Sequence, residues 1–122
     1  MTQRQIVNAY KTLRKLSGKE LPIIISCKIH RLTVSLRPAW DFQCNEERKI
    51  FERLKPKVFP NGDLEFSTTE DAREFKTRMK EIGDMEVDDV KFTSISIPET
   101  IDAELTPADI ENLDGFIEFT EV

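Results

Sequence analysis

The sequence predicts a mainly helical α+β fold with a long central helix and a small antiparallel sheet. Three observations predict it: an amphipathic N-terminal segment, an apolar stretch from 21 to 54, and short alternating runs bounded by Pro and Gly in the second half. The chain of 122 residues has the length of one domain, so we expect a single domain over 1–122.

The first helix is predicted over residues 3–16. Ile6, Tyr10 and Leu13 recur at spacings of three and four, and Val7 and Leu16 fall on the same side. Ser17-Gly18 follows, and glycine at the end of a helix takes the left-handed conformation at little cost. The pattern indicates an amphipathic helix with its apolar side toward the core.

The stretch 21–54 supports two interpretations. With a period of two, residues 23–29 and 32–36 would form strands, and their β-branched residues favour that interpretation. With helical spacing, Ile25, Ile29, Leu32 and Leu36 form a stripe, and no glycine turn separates two strands. Pro38 removes a backbone hydrogen bond. We therefore expect a long helix that is kinked or broken near Pro38.

The middle of the chain predicts a turn, a strand and a helix. Pro60–Asp63 has turn composition and precedes a short strand over Leu64–Phe66. Ser67 with Glu70 matches a capping box, so a helix is predicted from about 69 to 82, closed by Gly83.

Alternation of apolar and polar residues predicts one or two strands between 85 and 97, ended by Pro98. Thr106 followed by Pro107 predicts the start of a short helix that runs to about Leu113 or Asp114. Residues 116–119 either extend this helix or form a terminal strand.

Charge is distributed unevenly along the chain. Residues 1–82 carry 17 Lys and Arg against 11 Asp and Glu, whereas residues 83–122 carry one Lys against 12 acids. The acidic part could cover the basic part, or each could be an ordinary solvated face. The acidic part could also bind a basic partner. The candidate partner-binding residues are Asp84, Glu86, Asp88, Asp89, Glu99, Asp102 and Glu104.

Residues suited to catalysis or metal binding are few. Cys27 and Cys44 have no CxxC spacing, and His30 is the only histidine, so we expect buried free thiols and a histidine and Trp40 that pack in the core. The four glycines form no phosphate-binding loop. We expect neither an enzyme nor a metal or cofactor.

Several segments together resemble a known group of sequences. They are I-x-x-A-x-x-x-L-x-x-L (Ile6, Ala9, Leu13, Leu16), Leu21-Pro22, Asn61-Gly62-Asp63, Glu86-Val87, and T-P-A-D-I-x-x-L-D-x-F-I from Thr106 to Ile117. This layout resembles small uncharacterised proteins encoded in tailed-bacteriophage and prophage genomes. The resemblance implies a viral origin and a helical 21–54, and it transfers no functional residues.

Three functions remain as hypotheses. The first is stoichiometric protein binding that inhibits host defence or nucleic-acid-processing machinery through the acidic surface. The second is a virion or assembly component that docks on neighbouring subunits, and homo-oligomers are possible. The third, less favoured, is nucleic-acid binding through the basic N-terminal two-thirds. No apolar stretch is long enough to span a membrane, so we expect a protein of the bacterial host's cytoplasm.

Overall fold

A computed structural model describes residues 1–99 and 104–120. Within these ranges the mainly helical α+β prediction is confirmed. The elements are, in order, α1 (Gln3–Ser17), α2 (Ile23–Leu54), β1 (Lys57–Val58), β2 (Leu64–Glu65), α3 (Thr69–Asp84), β3 (Ile95–Pro98), α4 (Pro107–Asn112) and β4 (Ile117–Thr120). Among the described residues, no helix is both long enough and apolar enough to cross a membrane.

Helix α1 begins with a capping box. The Thr2 hydroxyl accepts a hydrogen bond from the Gln5 backbone N–H, and the Gln5 side chain accepts one from the Thr2 N–H at 2.8 Å. The apolar side predicted for this helix, including Ile6 and Leu13, is buried against α2.

Helix α2 is one continuous helix of 32 residues, about 48 Å long at 1.5 Å per residue. It passes through Pro38, so of the kink or break expected there the break does not occur, and the strand interpretation is wrong. The helix forms because helical spacing buries Ile25, Ile29, Leu32 and Leu36 on one side, which outweighs the weak β-propensity of the sequence. Pro38 lies on the exposed side of the helix.

A two-residue antiparallel ladder, β1 with β2, follows α2, and Gly62 supplies the positive φ of 90° in its turn. The next helix, α3, begins at Thr69 as predicted, but its N-cap is one residue later than predicted. Thr68 rather than Ser67 is its N-cap and accepts from the Asp71 N–H at 3.1 Å, while Gly83 lies inside the helix, which ends at Asp84.

The corrected cap predicts a stability difference between two neighbouring residues. Thr68→Ala should lower the free energy of unfolding by about 1 kcal/mol, because the Asp71 N–H loses its acceptor. Ser67→Ala is the matched control and should change it by less than about 0.5 kcal/mol. Urea denaturation of both variants measures the difference, and an equal loss in both would contradict the assignment.

The last third of the chain forms a second sheet with parallel strands. Ile95 pairs with Ile117 and Ile97 with Phe119, so residues 117–120 are a strand and do not extend α4. Of the one or two strands expected between 85 and 97, one is found, β3, and it includes Pro98. The described segment 85–94 contains only an isolated bridge between Glu86 and Thr2. The antiparallel prediction holds for β1 and β2 only.

The main core is built by α1, α2 and the last third of the chain together. Leu13, Leu36 and Leu113 are completely buried, and Ile97 and Phe116 pack into the same cluster. Farther along α2, Phe51 and Phe66 both contact Phe75 of α3, with ring centroids 5.7 and 5.1 Å away. The last third therefore completes a core that α1 and α2 begin.

Candidate protein-binding groove

The acidic segment after α3 is held against the start of α1 by backbone hydrogen bonds. The Gln3 N–H donates to the Met85 carbonyl at 2.8 Å, and the Val87 N–H donates to the Met1 carbonyl at 2.9 Å. The N-terminal ammonium lies 3.0 Å from the Glu86 carboxylate. These contacts fix the position of residues 85–87 and of the acids that follow them.

A groove of about 400 Å³ lies between this segment and the middle of α2. It is lined by Gln3, Pro38, Ala39, Phe42, Met85, Glu86, Val87, Asp88, Asp89 and Val90. Phe42 and Met85 are each 40% exposed, so they give the groove apolar surface that solvent reaches.

The buried polar group of the groove is already satisfied by the protein. The Gln3 side chain is almost fully buried and donates to the Ala39 carbonyl at 2.8 Å and to the Gln43 amide oxygen at 3.3 Å. Because the glutamine has these partners, it stabilises the groove wall, and the groups free to bind a partner are those at the rim.

The rim of the groove is acidic. Asp88 and Asp89 are both exposed, and neither makes an ion pair with any other residue in the described ranges 1–99 and 104–120. Glu86 has one carboxylate oxygen at the N-terminal ammonium and its side chain is 76% exposed. The groove therefore combines exposed apolar side chains with carboxylates that a basic group can reach.

The predicted partner-binding acids fall into two groups. Glu86, Asp88 and Asp89 come together at the groove, and Asp84 beside them is paired with Arg4 at 2.6 Å. Glu104 lies 3.5 Å from Lys19, beyond the other end of α1, and so belongs to the second group.

Glu99 also belongs to the second group. It follows Ile97, which lies with Leu16 and Ile25 at that same end of the molecule. Arg4 pairs with Asp84 of the first group, and Lys19, which follows α1, pairs with Glu104 of the second. The helix between them rises about 1.5 Å per residue, so the two groups lie near its opposite ends. Asp102 lies outside the described residues. The six described candidates therefore do not share one patch.

Ion pairs join the basic start of the chain to its acidic last third. The N-terminal ammonium pairs with Glu86, Arg4 with Asp84, Lys15 with Asp109, and Lys19 with Glu104. This arrangement supports the interpretation that the acidic part covers the basic part. Exposed pairs of this kind contribute little stability individually, so their main effect is to neutralise α1.

One of these pairs predicts a pH dependence of stability. The hydrogen bond from Lys15, at 2.7 Å, together with the Thr106 N–H, holds the pKa of Asp109 below its ordinary value. A carboxylate with a lowered pKa in the folded state stabilises the fold above its unfolded pKa of about 4, and this contribution is lost as pH falls through the folded pKa.

Asp109→Asn should therefore lower the thermal midpoint at about pH 7 and reduce the fall in midpoint on acidification to about pH 3. The amide oxygen can still accept from the Thr106 N–H, so the substitution removes mainly the charge. Calorimetry at both pH values measures this. Glu111→Gln on the same helix is the control, and an equal effect in both variants would contradict the prediction.

The cysteines and the histidine are not in the core. Cys27, Cys44 and His30 are exposed, so the prediction of buried thiols and a packed histidine is wrong. The reason is angular: these positions lie outside the buried stripe of α2. Trp40 does contact the core, since it is half-buried and stacks on Tyr10 with ring centroids 5.0 Å apart.

The described residues bring no three His, Cys, Asp or Glu side chains close enough together to hold a metal ion. Partial desolvation raises the pKa of the Cys44 thiol, and the nearby carboxylates of Glu47 and Asp41 raise it further. A thiol with a raised pKa is mostly protonated at neutral pH and is a poor nucleophile.

The groove was not predicted from the sequence, because its walls come from distant segments. Phe42 and Met85 are 43 positions apart, and only the packing of α3 and α1 on α2 brings them together. One local signal was available, since Phe42 is a large apolar residue that falls off the buried stripe of α2.

Comparison with protein-family models, curated proteins and solved structures gives no significant match.

Proposed function

We propose that the protein acts by stoichiometric protein–protein binding, and that its acidic groove binds a basic, partly apolar segment of a partner protein. The observation that carries this proposal is the placement of exposed Phe42 and Met85 beside the exposed carboxylates of Asp88 and Asp89. Neither aspartate has an ion-pair partner among the described residues.

The two kinds of group contribute different parts of binding. Exposed carboxylates attract a basic segment from a distance, which raises the association rate and selects against acidic partners. Apolar side chains in a concave site stabilise the complex once water is displaced, and Lys or Arg stems can lie against them. The groove therefore suits a short segment in which basic and apolar residues alternate.

The partner class that we propose is a host defence or nucleic-acid-processing enzyme. Such enzymes expose basic surface to bind phosphates. A small acidic protein of phage type in the bacterial cytoplasm would inhibit such an enzyme by covering that surface. The role in a virion or its assembly is the alternative, because docking on neighbouring subunits needs the same kind of surface.

Direct nucleic-acid binding is less well supported. Arg4, Lys15 and Lys19 belong to the basic N-terminal two-thirds of the chain, and they are engaged by carboxylates of its last third. A gel shift at low salt tests this alternative directly.

The experiment for the main proposal is co-purification of the tagged full chain from infected cells at low and high salt. The test variant is Asp88→Lys with Asp89→Lys, which reverses the charge of the groove rim and leaves the Arg4–Asp84 pair intact. The control is Glu81→Lys with Glu118→Lys, which makes the same change in net charge at two exposed acids outside the groove lining.

We expect a host enzyme to co-purify with the unchanged chain and with the control variant at low salt. The enzyme should be lost with the test variant, and also at high salt. Equal capture by the test variant would reject the groove as the binding site. Recovery of virion proteins in place of a host enzyme would favour the assembly role.

A further inference from the structure

The outward side of the N-terminal half of α2 is both apolar and basic. Ile23 is 80% exposed, Ile24 73% and Val34 50%, and the spacing places Ile23, Cys27 and Val34 on one face of the helix. Monomeric proteins rarely leave neighbouring large apolar side chains this exposed unless the surface binds something.

The charges on this surface are all positive. No Asp or Glu occurs between Glu20 and Asp41, whereas Lys28, Arg31 and Arg37 are exposed there. None of the three makes an ion pair with any residue that the structure describes. We call this surface, Ile23–Arg37 on its exposed side, the basic face.

The basic face has the chemistry that the acidic groove is proposed to bind. It offers aliphatic side chains flanked by guanidinium and ammonium groups, and the groove offers Phe42 and Met85 flanked by carboxylates. We propose that the protein self-associates head to tail, with the basic face of one copy seated on the acidic groove of the next. The inference rests on the proposed function, since it names a second copy as one occupant of the same groove.

Geometry excludes closure of the two surfaces within one molecule. Both lie on α2, and Arg31 is about 16 Å from Phe42 along one continuous helix. Symmetric pairing of two basic faces is opposed by charge, because it would bring Arg31 and Arg37 of both copies together. The contact therefore joins unlike surfaces. Two copies that seat each face in the other's groove close as a dimer, and otherwise each added copy leaves one free face and one free groove until a ring closes or a filament grows.

Head-to-tail association would also control access to the groove. A copy whose groove holds another copy's basic face cannot bind a partner protein there. The free monomer would be the form active in partner binding, and high protein concentration would store the chain in assemblies.

Sedimentation velocity of the full chain at rising concentration, at low and high salt, tests the inference. We expect the mean mass to rise above that of the monomer with concentration and to fall back toward it as salt is added. Arg31→Glu with Arg37→Glu should abolish association, as should Asp88→Lys with Asp89→Lys. Glu81→Lys with Glu118→Lys should associate like the unchanged chain.

Mixing the two non-associating variants gives the sharpest result. The arginine variant keeps an intact groove and the aspartate variant keeps an intact basic face, and their two reversed surfaces again carry opposite charges, so an equimolar mixture should regain association. A monomer at every concentration in low salt would overturn the inference. So would a dimer that survives the arginine substitutions, or a mixture that stays monomeric.

Thiol alkylation supplies a second measurement. Cys27 lies in the basic face, and Cys44 lies outside it, so Cys44→Ser leaves one reporter thiol. Alkylation of Cys27 should slow as the chain associates, and this slowing should be lost with the arginine variant.

The two proposals fail separately. If the chain stays monomeric while Asp88→Lys with Asp89→Lys still abolishes host-protein capture, the groove binds a partner and self-association is rejected. If a DNA duplex binds the monomer and the arginine variant loses that binding, nucleic acid occupies the basic face, and self-association is again rejected.

Discussion

Replacing Phe116 by alanine should lower the free energy of unfolding by about 3–5 kcal/mol, the range for truncating a buried phenylalanine. Phe116 is 1% exposed, and its ring stacks on Phe92 with centroids 4.9 Å apart. Its carbonyl accepts from the Ile95 N–H where the parallel sheet begins. Removing the ring leaves a cavity where the last third of the chain meets α1 and α2.

Denaturant titration followed by far-ultraviolet circular dichroism measures this loss. Small domains have free energies of unfolding of about 5–15 kcal/mol. If the unchanged protein lies near the lower value, part of the Phe116→Ala variant should be unfolded before denaturant is added. Phe42→Ala is the matched control, because that ring is 40% exposed in the groove and its removal should cost about 1 kcal/mol. Equal losses in the two variants would contradict the core position of Phe116.

Pro38→Ala should raise the free energy of unfolding by about 2–3 kcal/mol. Proline inside a helix lacks the N–H that would donate to the carbonyl four residues earlier and its ring crowds that carbonyl, at a cost of about 3 kcal/mol. Alanine restores the donor to the Val34 carbonyl. The more flexible unfolded chain offsets the gain by about 0.4–1 kcal/mol.

The same denaturation experiment measures this gain. Arg37→Ala, one residue earlier and also exposed, removes no backbone donor and should change stability by less than about 0.5 kcal/mol. A loss of stability in Pro38→Ala would show that α1 packs against a shape of α2 that requires the proline. Because Pro38 lines the groove, host-protein capture by this variant also reports whether groove shape matters.

The helices could be predicted from the sequence because their signals are local. The apolar stripe of α1 is one such signal and the Thr106 cap of α4 is another. Within each signal the residues involved are only a few positions apart, and both signals are found as predicted. The N-cap of α3 was placed one residue early, since Ser67 and Thr68 both offer a hydroxyl. In the structure the Thr68 hydroxyl accepts from the Asp71 N–H.

The exposure of Cys27 and His30 was missed for a different reason. Their neighbours in sequence are apolar, but burial in a helix depends on angular position, and both point away from the stripe that contains Ile29. The apolar composition of the neighbouring sequence therefore predicts a buried environment for two side chains that are exposed.

The candidate site could be predicted only in part. The sequence identifies the acids, and Glu86, Asp88 and Asp89 do line one groove. It could not show that Asp84 and Glu104 are engaged by Arg4 and Lys19, because each of those pairs spans 80 residues or more. The roles of these acids in partner binding stay predictions. So do the identity of the partner and the organisation of the chain as a single domain.

The late contribution of Leu113, Phe116 and Ile117 to the core has a consequence for synthesis. A chain leaves the ribosome N-terminus first, so α1 and α2 emerge long before the residues that cover them. Until about residue 117 is free, the apolar sides of these helices lack their final cover, and a nascent or prematurely terminated chain exposes an aggregation-prone surface. Ribosome pausing in the last third, or truncation before Leu113, should therefore send the product to chaperones or proteases.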